Sequence, residues 1–344
     1  MSRDLLTLLR DHGAFDPAPR HAELSDMHVP FDELFGARSC EHALLAGLRA
    51  GNRIALLGSS GAGKSSIVAH TLGPLVDGIF PIPVPVYPEP ASVVGSTTEF
   101  VAHLVRTINR MLDGNRPELS RPARKMERMA TGTSEAARTH RFSAGWRSAG
   151  IGPELQYELQ RAINEPAPTA GQVLDQGRQI LDLVASDGLV PILILDDTDR
   201  WLAATRTEIA VVRRDFFLNV PRLLAEDLGA AAVIAVHPEY LRDPGYQAAQ
   251  GFLTDAIGVP AIPSAAAVGT VLARRIELAR GTETPEATDA FTPDALEVLY
   301  AHYTAWPSNI RRNVLLPAHS ALSLALDDGV DRIDEGHILA AVTG

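Results

Sequence analysis

The stretch that decides the expected fold is Gly58-Ser59-Ser60-Gly61-Ala62-Gly63-Lys64-Ser65. It fits the pattern G-x-x-x-x-G-K-[ST], which forms a phosphate-binding loop between a strand and a helix. An apolar run of strand length, residues 53–57, precedes it, and a segment that suits a helix, residues 66–72, follows it. The glycines allow backbone N–H groups to point at phosphate oxygens, and the helix N-terminus adds a positive dipole end. The stretch therefore predicts a P-loop that binds a nucleoside triphosphate.

Each part of this loop has an expected role. Lys64 can reach the β- and γ-phosphates of ATP, and the Ser65 hydroxyl can hold Mg²⁺. The other interpretation is a glycine-rich turn between strand and helix that binds nothing. On the first interpretation, the residues that bind the nucleotide are Gly58, Ser59, Ser60, Gly61, Ala62, Gly63, Lys64, Ser65 and Ser66.

A second motif follows the apolar run at residues 189–195, which ends in Asp196-Asp197-Thr198-Asp199-Arg200. A strand that is apolar on both faces belongs inside a parallel sheet, and such sheets bind ligands at the carboxyl ends of their strands. This Walker B pattern places Asp196 at the Mg²⁺ of the nucleotide. Asp197 then stands where a carboxylate can orient and deprotonate the attacking water. The alternative is that Asp197 and Asp199 are turn-forming and capping acids.

The composition narrows the class of protein. The 344 residues are 46% hydrophobic and carry a formal net charge of −11, so the chain as a whole is not a basic nucleic-acid coat. Its one cysteine, Cys40, permits no internal disulfide, which fits a reducing compartment. No apolar run approaches the ~20 residues of a membrane helix, and the N-terminus lacks a signal-peptide pattern. We therefore expect a cytoplasmic protein with no membrane partner.

The expected fold class is α/β: a parallel P-loop sheet with helices on both faces, followed by a small all-α lid. The prolines of residues 79–87 predict a strand that is either at an edge of the sheet or irregular, and residues 231–237 predict a buried strand. The expected segments are a terminal helix (2–10) and an arm (13–30) within residues 1–30, a core over 31–262 and a lid over 263–344. Further expected elements are core helices over 97–112, 171–187 and 203–228, a strand and hinge over 259–263, and lid helices over 264–280, 293–303, 307–326 and 334–342.

Residues 113–170 interrupt this pattern and predict a basic insertion in the core. From Arg106 to Arg147 the chain holds ten basic and four acidic residues, a net charge of +6. Such a run can contact nucleic acid or an acidic partner surface. The alternative is a solvated insertion without a partner.

Together these features resemble the AAA+ and STAND/KAP P-loop ATPases, over about residues 31–344 without the insertion. Within that class the chain is similar to origin-recognition-type initiators and transposon-type AAA+ regulators, while Leu195-Asp196-Asp197-Thr198-Asp199-Arg200 also resembles KAP-type ATPases. The resemblance implies that residues 31–48 line the adenine pocket. It also implies that His237 is a γ-phosphate sensor and that Arg311, in Asn309-Ile310-Arg311, reaches the γ-phosphate from the lid. The alternatives are a plain helix before the core, a strand-end histidine and a solvated arginine.

Two functions are compatible with these residues. The first is an ATP-hydrolysing switch that uses Lys64, Asp197, His237 and Arg311, and whose nucleotide state controls assembly with itself, with a partner protein and with nucleic acid. The second is an ATP-binding scaffold subunit with little hydrolysis. The missing arginine-finger box favours the scaffold, and the candidates for a finger are Arg213, Arg214 and Arg242.

Overall fold

We describe the protein from a computed structural model. The structure describes residues 2–17, 23–36, 40–73, 78–86, 93–131, 168–196, 198, 207–281, 286–305 and 309–343. None of the helices in these ranges combines the length and the hydropathy that are needed to cross a membrane.

A parallel sheet of five strands lies at the centre of the described part of the chain. Its strands are β1 (Arg53–Leu57), β2 (Ile79–Pro83), β3 (Val190–Leu195), β4 (Ala231–Val236) and β5 (Asp255–Gly258). Their order is β2-β3-β4-β1-β5, and every neighbouring pair is parallel. β2 lies at an edge, as its two prolines predict, because proline cannot donate to a ladder. The predicted α/β class is confirmed.

The helices cover the sheet and continue beyond it. In chain order they are α1 (Ser2–Asp11), α2 (Phe31–Phe35), α3 (Cys40–Arg49), α4 (Lys64–Thr71), α5 (Thr97–Asn115), α6 (Pro117–Thr131), α7 (Ala170–Ser186), α8 (Thr207–Arg222), α9 (Pro244–Ala249), α10 (Ala265–Arg280), α11 (Pro293–Ala305), α12 (Leu316–Asp327) and α13 (Glu335–Thr343). Short π-helical segments, Leu223–Asp227 and Arg311–Leu315, extend α8 and precede α12.

The two faces of the sheet have separate hydrophobic cores, since successive side chains of a strand point to opposite faces. Ile54 and Val233 pack with α3 and α4 on one face. Ala55 and Ala232 face the larger cluster, which α5 to α9 complete. The predicted arrangement of helices on both faces of the sheet is therefore confirmed.

Residues 113–131 differ from the sequence prediction, which assigns them to the basic insertion of residues 113–170. They complete α5 and form α6, which packs against α5 and α7. The reason is a helical period that the basic composition hides: Leu119, Ala123, Met126 and Ala130 point to the core, while arginines and Lys125 occupy the outer side. Residues 132–167 of the predicted insertion lie outside the described ranges.

The helices α10 to α13, which we call the lid, form a third hydrophobic cluster. The N-terminal helix α1 belongs to this cluster through Leu6 and Leu9. Just after α1, the Phe15 ring lies 5.3 Å from the Phe291 ring, centroid to centroid. Helix α1 and Phe15 therefore pack in the core of the lid.

The last strand of the sheet also differs from the prediction. It spans Asp255–Gly258 and ends before the predicted residues 259–263. Pro260 and Pro263 cannot donate ladder hydrogen bonds, so a strand is disfavoured there. The observed strand is short and mostly exposed, which leaves little hydrophobic signal in its sequence.

Close packing of α7 on α5 generates a test of the fold. A Cβ added at Gly177 would lie 2.5 Å from Val101 Cγ1 and 3.2 Å from Leu228 Cδ2. We expect Gly177→Ala to lower the free energy of unfolding by roughly 1–3 kcal/mol because it overpacks this contact. The matched control is Gly171→Ala in the same helix, where an added Cβ meets nothing within 4 Å. Urea unfolding measures both, and equal destabilisation by the two variants would contradict the packing.

Candidate nucleotide-binding site

The loop that connects β1 to α4 requires glycine at defined positions. Gly61 has φ +77° and Gly63 has φ +100°, a left-handed region that L side chains rarely adopt. At Gly58 the reason is space, because an added Cβ would lie 3.2 Å from Lys64 Cγ and 3.3 Å from Ala62 Cβ. The glycines of the motif therefore each satisfy a geometrical requirement of this tight turn.

The Lys64 side chain lies within the turn and is 7% exposed. Its Nζ donates to the carbonyl oxygens of Gly58, at 2.6 Å, and Ser59, at 3.0 Å. Lys64 is also the first residue of α4, so its ammonium stands at the positive end of the helix dipole. The combination favours an anion at this place.

Asp196 follows the last residue of β3 and lines the same cavity as Lys64 and Ser65. The neighbouring Thr198 is fully buried and donates its hydroxyl proton to the Ala235 carbonyl oxygen on β4. This bond ties the chain after β3 to the adjacent strand. The predicted catalytic base, Asp197, lies outside the described residues, and so do Asp199 and Arg200.

A cavity of about 630 Å³ opens beside the loop, within the range of roughly 300–1,000 Å³ that is common for small-molecule sites. The core contributes residues 60–66 and Asp196. The arm, α2 and the lid contribute the rest: Pro17, Leu24, Met27, His28, Val29, Phe31, Leu34, Val271, Arg275, Ile310, Arg311 and Leu315. The cavity therefore lies where core, arm and lid meet.

The lining of this cavity includes two kinds of side chain. Lys64, Ser65 and Arg311 supply cationic and hydroxyl groups, and Asp196 supplies a carboxylate. The arm, α2 and the lid supply mainly aliphatic and aromatic surface. Such a cavity suits a ligand with a flat apolar part and a polyanionic part. The predicted segment 31–48 forms α2 and α3, and two residues of α2 lie on the apolar wall.

The lid touches the P-loop directly at Gly61. The backbone N–H of Arg311 donates to the Gly61 carbonyl oxygen at 3.4 Å. A Cβ added at Gly61 would lie only 2.2 Å from Asn309 Oδ1, which accepts the Arg312 N–H at 2.8 Å. The structure thus brings Arg311 next to the glycine-rich loop, and its role at the γ-phosphate stays a prediction. Residues 306–308 lie outside the described ranges.

His237 lies directly after β4, the strand between β1 and β3. Its Nδ1 accepts the backbone N–H of Glu239 at 3.3 Å, and its ring lies 5.8 Å from the Tyr240 ring. It caps a short 3₁₀ turn in this arrangement and is not among the residues that line the cavity. Its proposed role as a γ-phosphate sensor stays a prediction.

The three candidate finger arginines have different surroundings. The Arg213 side chain is engaged by residues of its own chain. Its Nε donates to Asp243 at 2.8 Å, and its guanidinium lies 5.2 Å from the Tyr240 ring centroid. Arg214 pairs with the adjacent Asp215 on the surface. Arg242 is exposed. The two exposed arginines are therefore better able to reach a second protomer than Arg213.

The basic region of Arg106–Arg147 is described up to residue 131. Arg124 pairs with Asp113 at 3.1 Å, and Arg116 pairs with Asp187 at 3.2 Å. Arg121, Lys125 and Arg128 are exposed at helical spacing on the outer side of α6, and we call these three residues the basic stripe. Arg106 and Arg110 belong to α5, and Arg138, Arg141 and Arg147 lie outside the described ranges.

Two titratable residues of the cavity wall, His28 and Arg275, were not predicted from the sequence. His28 lies in the arm and is 8% exposed. Arg275 of α10 is 7% exposed and donates to the carbonyl oxygen of Asp16 at 3.1 Å. Burial lowers the pKa of the Arg275 guanidinium to about 10. Neither residue belongs to a motif, and a buried cation in a helix of ordinary composition leaves no sequence signal.

No family model and no curated protein matches the chain. Two solved structures of the ORC2 protein from Aeropyrum pernix are similar to it. The ADPNP-ADP complexes are 14% identical at a TM-score of 0.46, over 90% of this chain and 66% of that chain. The ADP form is 15% identical at a TM-score of 0.45, over 88% and 66%. This chain therefore spans just under two thirds of the length of that protein, and likenesses at these scores carry no argument about function.

The contact at Gly61 generates a test of how the lid is seated. We expect Gly61→Ala to push the lid from the P-loop, because its Cβ would overlap Asn309. Spin labels on Arg49→Cys and Leu339→Cys, exposed sites on core and lid, should then show a longer distance by pulsed electron resonance. Cys40 should not compete for label, because burial and the adjacent Glu41 raise the pKa of its thiol to about 12.

The matched control for this variant is Gly51→Ala. Gly51 has a similar backbone strain, with φ +83°, but an added Cβ there meets nothing within 4 Å. The label distance should stay at the wild-type value in this control. A wild-type distance in folded Gly61→Ala would show that the lid does not rest on the loop.

Proposed function

We propose that the protein binds ATP and Mg²⁺ between its P-loop core and its lid, and that the bound nucleotide controls assembly. The observation that carries this proposal is that Lys64, Ser65, Asp196 and Arg311 line one and the same cavity beside an apolar wall. Lys64 binds the β- and γ-phosphates, and the N–H groups of residues 58–66 bind phosphate oxygens. Arg311 meets the γ-phosphate from the lid, and the base lies against the apolar wall.

The donor set in the cavity fits Mg²⁺, a hard cation that prefers oxygen ligands. The Ser65 hydroxyl and the Asp196 carboxylate would hold the ion. An Mg²⁺ ion held there would offset the negative charge of the phosphates. The contribution of the chain is to fix the two oxygen donors on neighbouring elements, α4 and the end of β3.

The proposed reaction is hydrolysis of ATP to ADP and phosphate. A water oxygen forms a bond to the γ-phosphorus as the bond to the bridging oxygen breaks, and the proton of the water passes to Asp197. This role for Asp197 rests on the sequence motif. His237 and Arg311 sense the γ-phosphate, so that its loss changes the position of the lid.

Such a protein acts as a switch because ATP shifts it toward the form that contacts the nucleotide best. In the proposed switch, ATP draws lid, arm and core together, and hydrolysis releases them. The output is self-assembly or the binding of a partner protein in the cytoplasm. AAA+-type regulators, which the motifs resemble, provide the model for this arrangement.

A structural ATP-binding scaffold is the second candidate function. The observation that favours it is the engagement of Arg213 by Asp243 and Tyr240, which withdraws one finger candidate from catalysis on a neighbouring protomer. The two candidates differ in turnover: only the switch hydrolyses ATP faster than a variant with a disabled P-loop.

The chain contains two lysines, Lys64 and Lys125, which gives the nucleotide proposal a matched pair of variants. We expect Lys64→Ala to weaken ATP–Mg²⁺ binding at least ~30-fold, since a charge-assisted contact to phosphate contributes roughly 2 kcal/mol or more. Lys125→Ala, on the outer side of α6, should bind like wild type. Calorimetry measures the affinity for ATP. Light scattering measures whether ATP raises the mass of the wild type but not that of Lys64→Ala.

Equal ATP binding by wild type and Lys64→Ala would contradict the nucleotide proposal. If the wild type binds ATP but hydrolyses it no faster than Lys64→Ala with every partner tested, the proposal of an ATP-hydrolysing switch is wrong. The proposal of an ATP-binding scaffold then remains.

We further propose that the basic stripe contacts nucleic acid. Three exposed cations on one side of a helix, in a chain with a net charge of −11, are suited to a row of phosphates. The described residues leave this side of α6 exposed to solvent.

Removal of the basic stripe tests this contact. In Arg121→Ala/Lys125→Ala/Arg128→Ala we expect weaker binding of DNA or RNA, with a salt dependence reduced by up to about 0.9 in logarithmic slope per lost phosphate contact. The control removes three exposed arginines elsewhere: Arg49, Arg222 and Arg332. Fluorescence anisotropy at several salt concentrations measures the affinity and its salt dependence for both variants. Equal slopes in the two variants would exclude a contact between the basic stripe and nucleic acid.

A further inference from the structure

A buried chain of side chains links the arm to the P-loop helix. His28 Nδ1 lies 2.9 Å from Ser66 Oγ, and His28 Nε2 lies 2.9 Å from Glu41 Oε1. The Ser66 hydroxyl also donates to the Leu24 carbonyl oxygen at 3.3 Å. Three separate elements, the arm, α3 and α4, therefore meet at one imidazole ring.

Glu41 holds the other end of this chain. Its Oε1 also accepts the backbone N–H of Phe31 at 3.0 Å, and its Oε2 accepts the Cys40 thiol at 3.5 Å. His28, Val29 and Phe31 all line the cavity. Glu41 therefore holds the backbone of Phe31 in the apolar wall, and His28 connects Glu41 to Ser66.

The position of Ser66 gives the link its consequence. Ser66 follows Ser65, the proposed Mg²⁺ ligand, in the first turn of α4. Because His28 holds the Ser66 side chain, it restrains the backbone of the preceding residue, Ser65. Residues that do not bind a metal themselves but orient its ligands commonly lower metal affinity about 10–100-fold when they are removed.

We propose that His28 is a positioning residue of the nucleotide site, which couples the apolar wall in the arm to the Mg²⁺ ligand in α4 through Ser66. This inference rests on the proposed binding of ATP and Mg²⁺. Through this link, the seating of the base against the arm sets the geometry of the Mg²⁺ site, although the two ends of the ligand touch different parts of the chain.

The two ring nitrogens allow the two halves of the link to be tested separately. An asparagine at position 28 places its amide near Nδ1, within reach of Ser66, and a glutamine places its amide near Nε2, within reach of Glu41. His28→Asn therefore keeps the link to α4, and His28→Gln keeps only the anchor to α3. Ser66→Ala removes the link from the other side and leaves His28 on Glu41.

The experiment measures ATP affinity by calorimetry with and without Mg²⁺ in these three variants and the wild type. We expect His28→Gln and Ser66→Ala to lose about tenfold in affinity for ATP with Mg²⁺ and to change little without it. His28→Asn should stay within about threefold of wild type in both conditions. In the double variant His28→Gln/Ser66→Ala the two losses should not add, since both break the same link.

The opposite pattern would overturn the proposal. If His28 only anchors the arm, His28→Gln should bind like wild type and His28→Asn should be impaired. A Ser66→Ala variant with normal Mg²⁺-dependent affinity would also overturn it. Failure of the wild type to bind ATP at all would instead refute the proposed function, so the two failures are distinguishable. Thermal unfolding of each variant checks that it is folded.

Discussion

The parallel pairing of β4 with β1 on one side and β3 on the other is the constraint on which the site depends. It places the glycine-rich loop after β1 and Asp196 after β3 at one edge of the sheet, with β4 between the two strands. The spacing is reinforced beyond the ladder, because Gly58 N–H donates to the Val236 carbonyl oxygen at 3.1 Å and Thr198 bonds Ala235. Ser66 and Asp196, which are 130 positions apart in the chain, thereby line one cavity.

A second constraint is that the core does not complete the cavity alone. The lid supplies Arg311 and part of the apolar wall, and the arm and α2 supply the rest of that wall. The arm is held on both sides: Arg274 Nε donates to the Asp26 carbonyl oxygen at 2.7 Å from the lid, and Ser66 and Glu41 hold His28 from the core. A ligand in this cavity would therefore contact the core, the arm, α2 and the lid at once.

The sequence predicts the parallel sheet with its covering helices and the C-terminal helical region, because these rest on local patterns: apolar runs of strand length and a helical period. It does not predict that α1 packs in the lid, that residues 117–131 form a packed helix, or that Arg275 and His28 line the cavity. These features depend on contacts between residues far apart in the chain. The short strand at 255–258 is missed because its pairing with β1, and not its hydrophobicity, specifies it.

The central claim is that the base of ATP lies between arm and lid while its phosphates lie on the P-loop. Photolabelling with 8-azido-ATP, followed by peptide mapping, tests it most directly. The account predicts labelling of peptides 21–38 or 313–332, which hold the apolar wall around Phe31 and Leu315, with loss of label when ATP competes or when Lys64 is replaced by alanine. Competable label confined to other peptides, such as those of α5 and α6, or no competable label, would contradict it.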